Sequence, residues 1–97
     1  MLANKVCIIT GALGGLGQTV VSTFINQGAI VVGVDSERAL NDNLKQTDFW
    51  KRISAHKNWT FRPTDVLSEA DVQALVQDIQ KTFFRIDVLI NLVGGIY

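Results

Sequence analysis

The sequence predicts an α/β fold, in which a parallel sheet carries helices on both faces. Short apolar runs alternate with segments of helical spacing along the chain, an alternation typical of parallel sheets with right-handed crossovers. The 97 residues, 47% of them hydrophobic and 19% charged, have the size and composition of one globular domain. A single proline and the lack of a Gly/Ser tract indicate that no flexible linker divides it.

The first half of the chain is predicted to form a strand, a helix and a second strand. Residues 6–9 form a continuous apolar run, typical of a strand buried on both faces. Residues 16–27 have apolar side chains at helical spacing, and Gly28 suits the left-handed position at which helices often end. The β-branched run at residues 29–34 predicts the second strand, which ends at Asp35.

The second half continues the alternation after a polar stretch. In residues 36–58, Leu40 and Leu44 indicate one helix, and residues 59–62 read as a short strand. Ser68 starts a longer amphipathic helix, with Asp71 placed for a weak capping box. Further along, residues 88–93 predict a fourth, central strand with apolar side chains on both faces. Its unpaired hydrophobic edge leads us to expect a longer parent protein.

Composition excludes several classes of function. Nine basic and nine acidic residues balance, which disfavours nucleic-acid or anionic-membrane binding. The lone Cys7 excludes an internal disulfide and a multi-cysteine zinc site, and its place in a strand predicts a small buried hydrophobe. His56 has no second ligand at metal spacing, so no metal is expected. Because no apolar run fits a signal peptide or a membrane span, we expect a cytoplasmic protein.

Aromatic residues are grouped around the third predicted strand. They are Phe49, Trp50, Trp59 and Phe61. Aromatic rings can stack on nucleic-acid bases, but such surfaces also carry a basic groove. In a chain with no net charge, partial packing against the core is the stronger interpretation.

A glycine-rich loop lies between the first strand and the first helix. It contains Gly11, Gly14, Gly15 and Gly17, four glycines in seven positions. Glycines let backbone N–H groups approach a ligand, and the positive end of the following helix dipole favours a pyrophosphate there. A tight turn without a ligand is the alternative, but a turn needs fewer glycines.

The spacing of the loop distinguishes among nucleotide-binding motifs. A P-loop is excluded, because Ala12 stands in place of its first glycine and Gln18 in place of its lysine. The common pattern G-x-G-x-x-G fails at Val20. The pattern T-G-x-x-x-G-x-G fits, through Thr10, Gly11, Gly15 and Gly17.

That pattern resembles the short-chain dehydrogenase/reductase family, and two further motifs extend the resemblance over residues 5–95. Asp65-Val66 follows the third strand, where the family contacts adenine, and Asn91 and Gly94 match part of the family's N-N-A-G. The resemblance implies a Rossmann-like sheet of order 3-2-1-4, truncated after the fourth strand. Residues 1–97 would be the N-terminal part of one NAD(P)-binding domain. The implied cofactor-binding residues are Gly11, Leu13, Gly14, Gly15, Leu16, Gly17, Asp35, Asp65, Val66, Asn91, Val93 and Gly94.

Three positions qualify this resemblance. Leu92 lacks the side-chain amide that ties the central strands in the family, and Val93 adds bulk beside the adenosine ribose, which would weaken binding. Asp65 has a simpler alternative role, since its carboxylate could cap a turn before Ser68.

The acidic residue Asp35 favours NAD over NADP. It lies eighteen positions after Gly17, close to the spacing at which a carboxylate binds the ribose hydroxyls. The same charge repels a 2′-phosphate. NADP-preferring members of the family usually carry a basic residue where this chain has Gly14 or Ser36. Arg38 lies nearby, and we expect it to be a solvated loop charge.

The family's catalytic pair is missing from these 97 residues. That pair is Tyr-x-x-x-Lys, assisted by a serine, but Tyr97 is the last residue and Lys81 the last lysine. We therefore assign no catalytic residue and expect no turnover by this chain alone. The resemblance implies a parent oxidoreductase, able to form homo-oligomers, that moves hydride between nicotinamide and an alcohol or carbonyl substrate. Alternatives are a non-catalytic dinucleotide-binding or sensor module, a truncated product without activity, and a structural domain with an empty loop.

Overall fold

Four parallel strands form one sheet in the order β3-β2-β1-β4 in the computed structural model, which describes residues 2–92. The predicted α/β fold and strand order are confirmed. The elements in chain order are β1 (Val6–Thr10), α1 (Gly15–Asn26), β2 (Ile30–Asp35), α2 (Asp42–Lys45), α3 (Asp48–Ile53), β3 (Trp59–Pro63), α4 (Glu69–Phe83) and β4 (Val88–Asn91).

The two central strands bury both of their faces, as their continuous apolar runs predict. All five residues of β1 are buried, and so are four of the six in β2. Alternate side chains such as Cys7, Ile9 and Val31 pack with α1, α2 and α3 on one face. Their neighbours, including Ile8 and Val32, pack with α4 on the other. Helices therefore lie on both faces of the sheet.

Helix α1 starts one residue earlier than predicted, at Gly15, and ends at Asn26. Gly28 follows with φ of +89°, in the left-handed region expected of a glycine after a helix. Its N–H donates to the carbonyl of Ile25 at 3.0 Å, and the next N–H, of Ala29, donates to Phe24 at 3.1 Å. These bonds satisfy the last helical carbonyls and turn the chain into β2.

The single helix predicted within residues 36–58 is wrong. The segment forms a short 3₁₀ turn (Glu37–Ala39) and two separate helices, α2 and α3. Leu44 lies in α2, but Leu40 lies outside any helix. The reason is local, because the side chains of Asn41 and Thr47 accept backbone hydrogen bonds of 2.9 and 3.2 Å and cap α2 and α3. Each cap starts a new helix.

Helix α4 begins where Ser68 predicts, but only half of the capping box forms. The Ser68 hydroxyl accepts the N–H of Asp71 at 3.3 Å. The Asp71 carboxylate accepts the N–H of Asp65 at 3.3 Å instead of reaching back to Ser68. The Ser68 N–H donates to the carbonyl of Asp65 at 3.0 Å, so a turn replaces the reciprocal bond.

Strand β4 is shorter than predicted, and one of its apolar side chains is exposed. It ends at Asn91, and Val93 lies outside the described residues. Leu89 is 64% exposed, because the core beneath α4 is built on β1 and β2. Apolar side chains nevertheless lie on both faces of the strand, as predicted, because Val88 and Ile90 pack against the core and Leu89 alternates with them. None of the helices in residues 2–92 has the length and apolar character to cross a membrane.

Candidate functional site

The predicted site residues gather where the parallel strands end. Because all strands run in one direction, their carboxyl ends meet at one edge of the sheet, with Thr10 paired to Val34 and to Asn91, and Asp35 paired to Pro63. The strand order changes direction between β1 and β4. Crevices at such a switch point bind ligands in open α/β sheets, and the glycine loop leaves β1 there.

Two glycines of the loop are required by close packing. Gly11 has φ of +67°, and a Cβ there would lie 3.1 Å from the carbonyl carbon of Leu92 beyond β4. A Cβ on Gly17 would collide with the Gly11 carbonyl oxygen and lie 2.8 Å from the Ala12 carbonyl carbon. These contacts are with backbone, which cannot rotate away. The loop is therefore packed tightly between the start of α1 and the end of β4.

The helix entrance leaves backbone amides for a ligand. The first helical bond runs from the Gln18 N–H to the Gly14 carbonyl at 2.9 Å, and Gly14 provides no side-chain cap. The N–H groups of residues 15–17 therefore precede the helical hydrogen bonding, as the first amides of any helix do. Apart from its chain neighbours and the backbone of its own helix, no atom of residues 2–92 lies within 4 Å of a Cβ built on Gly15. This open, positive cradle suits a diphosphate.

Leu13 anchors the loop from inside. Its side chain is buried in the core shared with α1, and its N–H donates to Asp35 Oδ2 at 3.0 Å. Its carbonyl accepts a bond of 2.9 Å from Gln18 Nε2. Sequence reasoning used Gln18 only to exclude a P-loop and missed this contact. The available signal was its place in the first turn of α1, where side chains point back towards the loop.

Asp35 opens onto a cleft that also holds the predicted adenine contacts. Its Oδ1 accepts the Ser36 N–H at 2.8 Å, and its side chain is partly exposed. The cleft, of about 820 Å³, is lined by Asp35, Ser36, Glu37, Arg38, Pro63, Thr64, Asp65, Val66, Leu67 and Asp71. Asp65 Oδ1 accepts the Leu67 N–H at 3.0 Å. The turn-capping role of Asp65 is therefore present, and its contact with adenine stays a prediction.

Thr10 and Asn91 join β1 to β4 beside the loop. The Thr10 hydroxyl donates to Asn91 Oδ1 at 2.7 Å and accepts the Leu92 N–H at 3.1 Å. These bonds tie the two strands at the position where Leu92 lacks an amide side chain. Leu16, 65% exposed, presents an apolar side chain at the mouth of the loop. Val93 and Gly94, also predicted as cofactor contacts, lie outside the described residues.

Two further residues, Cys7 and His56, could be mistaken for a nucleophile and a metal ligand. Cys7 is buried in β1, and burial, followed by the nearby Asp87 charge, raises the pKa of its thiol. A raised pKa disfavours the thiolate that a nucleophile needs. His56 Nδ1 accepts the Asn58 N–H at 3.1 Å. Within residues 2–92, no group of three His, Cys, Asp or Glu side chains is placed to hold a metal ion.

The fold is a Rossmann-like α/β sheet with a glycine-rich loop after its first strand, and comparison with known proteins assigns the family. A family model described as short chain dehydrogenase matches residues 5–96. The chain therefore belongs to the short-chain dehydrogenase family, whose members are oxidoreductases that bind a nicotinamide dinucleotide.

Individual relatives agree with this assignment. The chain is 32% identical over 90 residues to a short chain dehydrogenase/reductase, dpfgG, of Gibberella zeae, covering 93% of this chain and 32% of the relative. It is 32% identical over 96 residues to L-fucose dehydrogenase of Mus musculus, and the match covers 95% of this chain and 31% of that enzyme. The structure of this chain superposes with a TM-score of 0.72 on the 3-ketoacyl-(acyl-carrier-protein) reductase of Brucella melitensis, which was solved with NADH. The two are 30% identical, and the match covers 92% of this chain and 34% of the reductase. The chain thus spans about a third of each.

Proposed function

We propose that this chain binds NAD as the N-terminal part of an NAD(P)-binding domain, in an oxidoreductase that interconverts alcohols and carbonyls. The observation that carries the proposal is the cradle at residues 15–17. Its amides precede the helical hydrogen bonds, and the space at Gly15 is open. A diphosphate supplies the acceptor oxygens and negative charge that such a helix entrance favours.

Three parts of the dinucleotide, the diphosphate, the adenosine ribose and the adenine, have counterparts among this chain's residues. The amides of Gly15, Leu16 and Gly17 would hold the diphosphate, and Asp35 would accept hydrogen bonds from the adenosine ribose. The adenine would lie in the cleft lined by Asp65 and Val66. Once bound, the nicotinamide supplies hydride chemistry. The role of these residues is to bind and orient it.

The charges around the cleft favour NAD over NADP. Four carboxylates line it, those of Asp35, Glu37, Asp65 and Asp71, against one guanidinium, that of Arg38. A 2′-phosphate placed on the ribose would add about two negative charges to this surface. Each Asp35 oxygen already accepts one backbone hydrogen bond. Because a carboxylate offers about four lone-pair positions, it can still accept two hydroxyl bonds.

Calorimetric titration of the chain with NAD and NADP tests the proposal. We expect NAD to bind more tightly than NADP, and Asp35→Ala to weaken NAD binding by about tenfold or more, since bonds to a charged acceptor contribute about 1.5–3 kcal/mol. Asp42→Ala, which removes an exposed carboxylate in α2, is the matched control. Unchanged affinity in Asp35→Ala would remove Asp35 from the site. Absence of binding to either dinucleotide would refute the proposal.

A non-catalytic dinucleotide-binding module, which would use the same loop without chemistry, is the second candidate. The two candidates differ in the coding sequence that follows Tyr97. A serine and a Tyr-x-x-x-Lys downstream would support the oxidoreductase, because a tyrosine needs a neighbouring cation to exchange protons near neutral pH. An in-frame stop directly after Tyr97 would support the module or a truncated gene product without activity.

A further inference from the structure

We propose that Gln18 is a positioning residue that, together with Asp35, sets the glycine loop in its binding geometry before the dinucleotide arrives. The proposal rests on the proposed function of the loop and adds a residue to it. It concerns the peptide groups on either side of Leu13, which are held by side chains from two different elements.

Both backbone hydrogen-bonding groups of Leu13 are bound by side chains. Asp35, at the end of β2, accepts its N–H at 3.0 Å. Gln18, in the first turn of α1, donates to its carbonyl at 2.9 Å. Buried backbone groups need partners, and neither of these two bonds is a backbone bond within a helix or between strands. The conformation of the loop at Leu13 therefore depends on these two side chains.

The Gln18 bond fixes the peptide group that precedes the diphosphate cradle. The carbonyl of Leu13 and the N–H of Gly14 belong to one planar peptide. Gln18 holds its oxygen, and the Gly14 N–H donates to Gly11 at 3.1 Å. Fixing this plane limits the positions open to the Gly14 carbonyl, which belongs to the next peptide and accepts the first bond of α1. The amides of residues 15–17, which form the cradle, come directly after Gly14 in the chain.

Without the Gln18 bond, the peptide between Leu13 and Gly14 would be held only through the Gly14 N–H. Gly14 and Gly15 are adjacent and exposed, and glycine populates many backbone conformations. A binding-competent loop that is only partly populated lowers the apparent affinity by that fraction. Gln18 would therefore strengthen diphosphate binding without touching the diphosphate.

Substitution of Gln18 tests loop positioning alone, whereas Asp35 both holds the loop and is proposed to bind the ribose. Gln18→Met keeps the length of the side chain and removes the donor. Gln77→Met is the matched control, the same substitution at an exposed position of α4. Gln18→Lys restores a donor of sufficient length. All variants are compared by amide hydrogen exchange of the free chain, by calorimetric titration with NAD, and by urea unfolding.

For Gln18→Met we expect amide exchange at Leu13 and Gly14 to accelerate, and NAD binding to weaken, each by about 3- to 10-fold, from a net hydrogen-bond contribution near 1 kcal/mol. Gln77→Met should match the wild type in both measurements. Gln18→Lys should recover slow exchange in the free chain, where no phosphate attracts its charge. This rescue distinguishes positioning from a general loss of stability.

Three results would overturn the proposal. They are wild-type exchange in Gln18→Met, weakening of NAD binding by Gln77→Met to the same extent, and fast exchange that persists in Gln18→Lys. Failure of the proposed function is separate. If the wild-type chain binds no dinucleotide, amide exchange in the free chain alone tests whether Gln18 positions the loop. Faster exchange in Gln18→Met would support that role, and unchanged exchange rates would refute it.

Discussion

The indole of Trp59 on β3 lies over Gly33 on β2, in the space that a side chain at Gly33 would occupy. A Cβ there would collide with the indole Cη2 and lie 3.1 Å from Cζ2. The indole stacks on Phe61 with ring centroids 6.4 Å apart, and meets Trp50 edge-on at 6.3 Å. The missing side chain at Gly33 thus allows this aromatic group to pack on the sheet, which supports the core-packing interpretation of these rings.

Gly33→Ala should destabilise the fold and disturb the tryptophan environment. The added methyl group forces the indole to move, and overpacking of this kind costs about 1–3 kcal/mol. Urea unfolding and tryptophan emission measure the two effects. Trp59→Phe provides the control, because Gly33→Ala should cost less in that background. An equal cost in both backgrounds would show that the indole contact is not responsible.

Alanine at two glycines of the loop should separate ligand binding from folding. Gly15→Ala places a methyl in open space, so stability should be unchanged or slightly higher, while NAD binding weakens by about tenfold or more. Gly17→Ala places a methyl against the backbone of Gly11 and Ala12, so the free energy of unfolding should fall by about 1–3 kcal/mol.

Urea unfolding and calorimetric titration of both glycine variants check this separation. Each variant serves as the control for the other, since the same methyl group is added two residues apart. If Gly15→Ala bound NAD as tightly as the wild type, the cradle at the helix entrance would not be the diphosphate site.

The sheet could be predicted because its signals are local to each strand. The run at residues 6–9 is apolar throughout, as a strand buried on both faces requires. Gly28 marks the end of α1 for a reason that is also local, its left-handed backbone. The loop could be predicted from spacing, because the close packing of Gly11 and Gly17 tolerates no side chain.

The features that escaped prediction depend on contacts between distant segments or on competing caps. The exposure of Leu89 depends on where α4 lies across the sheet. Residues 36–58 divide into separate helices, because Asn41 and Thr47 each start a new one. The bond from Gln18 to Leu13 depends on the folded loop, and glutamine alone in a sequence does not indicate its partner.

Asp87 should make stability depend on pH in the acidic range. Its Oδ2 accepts the Val6 N–H at 2.8 Å, and its Oδ1 accepts Arg85 Nη2 at 2.6 Å. The Arg85 hydrogen bond, followed by the Val6 N–H, holds the pKa of this carboxyl below its usual value. A pKa lowered by folding gives stability that is present above the unfolded pKa of about 4 and is lost as the pH falls through the folded pKa.

Urea unfolding between pH 7 and pH 2.5 measures this dependence. Asp87→Asn should be less stable than the wild type at pH 7, and should lose less stability on acidification because the titrating group is gone. Asp42→Asn, at an exposed position of α2, should retain the wild-type slope. A wild-type slope in Asp87→Asn would mean that Asp87 does not contribute to acid sensitivity.

Phe84 should be a site where glycine stabilises the protein. It ends α4 in the left-handed conformation, with φ of +67° and ψ of 3°, which costs about 1–2 kcal/mol for a residue with a Cβ. Its N–H donates to Gln80 at 2.8 Å, a bond that glycine retains. The ring is 88% exposed, so little buried area is lost with it.

Glycine relieves this strain but also makes the unfolded chain more flexible, which offsets part of the gain. The net gain in stability should be roughly 0.5–1 kcal/mol. For a chain of this size, Phe84→Gly should raise the midpoint of thermal unfolding by a few °C. Phe84→Ala removes the ring and keeps the strained Cβ, so its midpoint should stay near that of the wild type. If Phe84→Ala stabilises as much as Phe84→Gly, the gain comes from removing the exposed ring, and the backbone conformation is not its source.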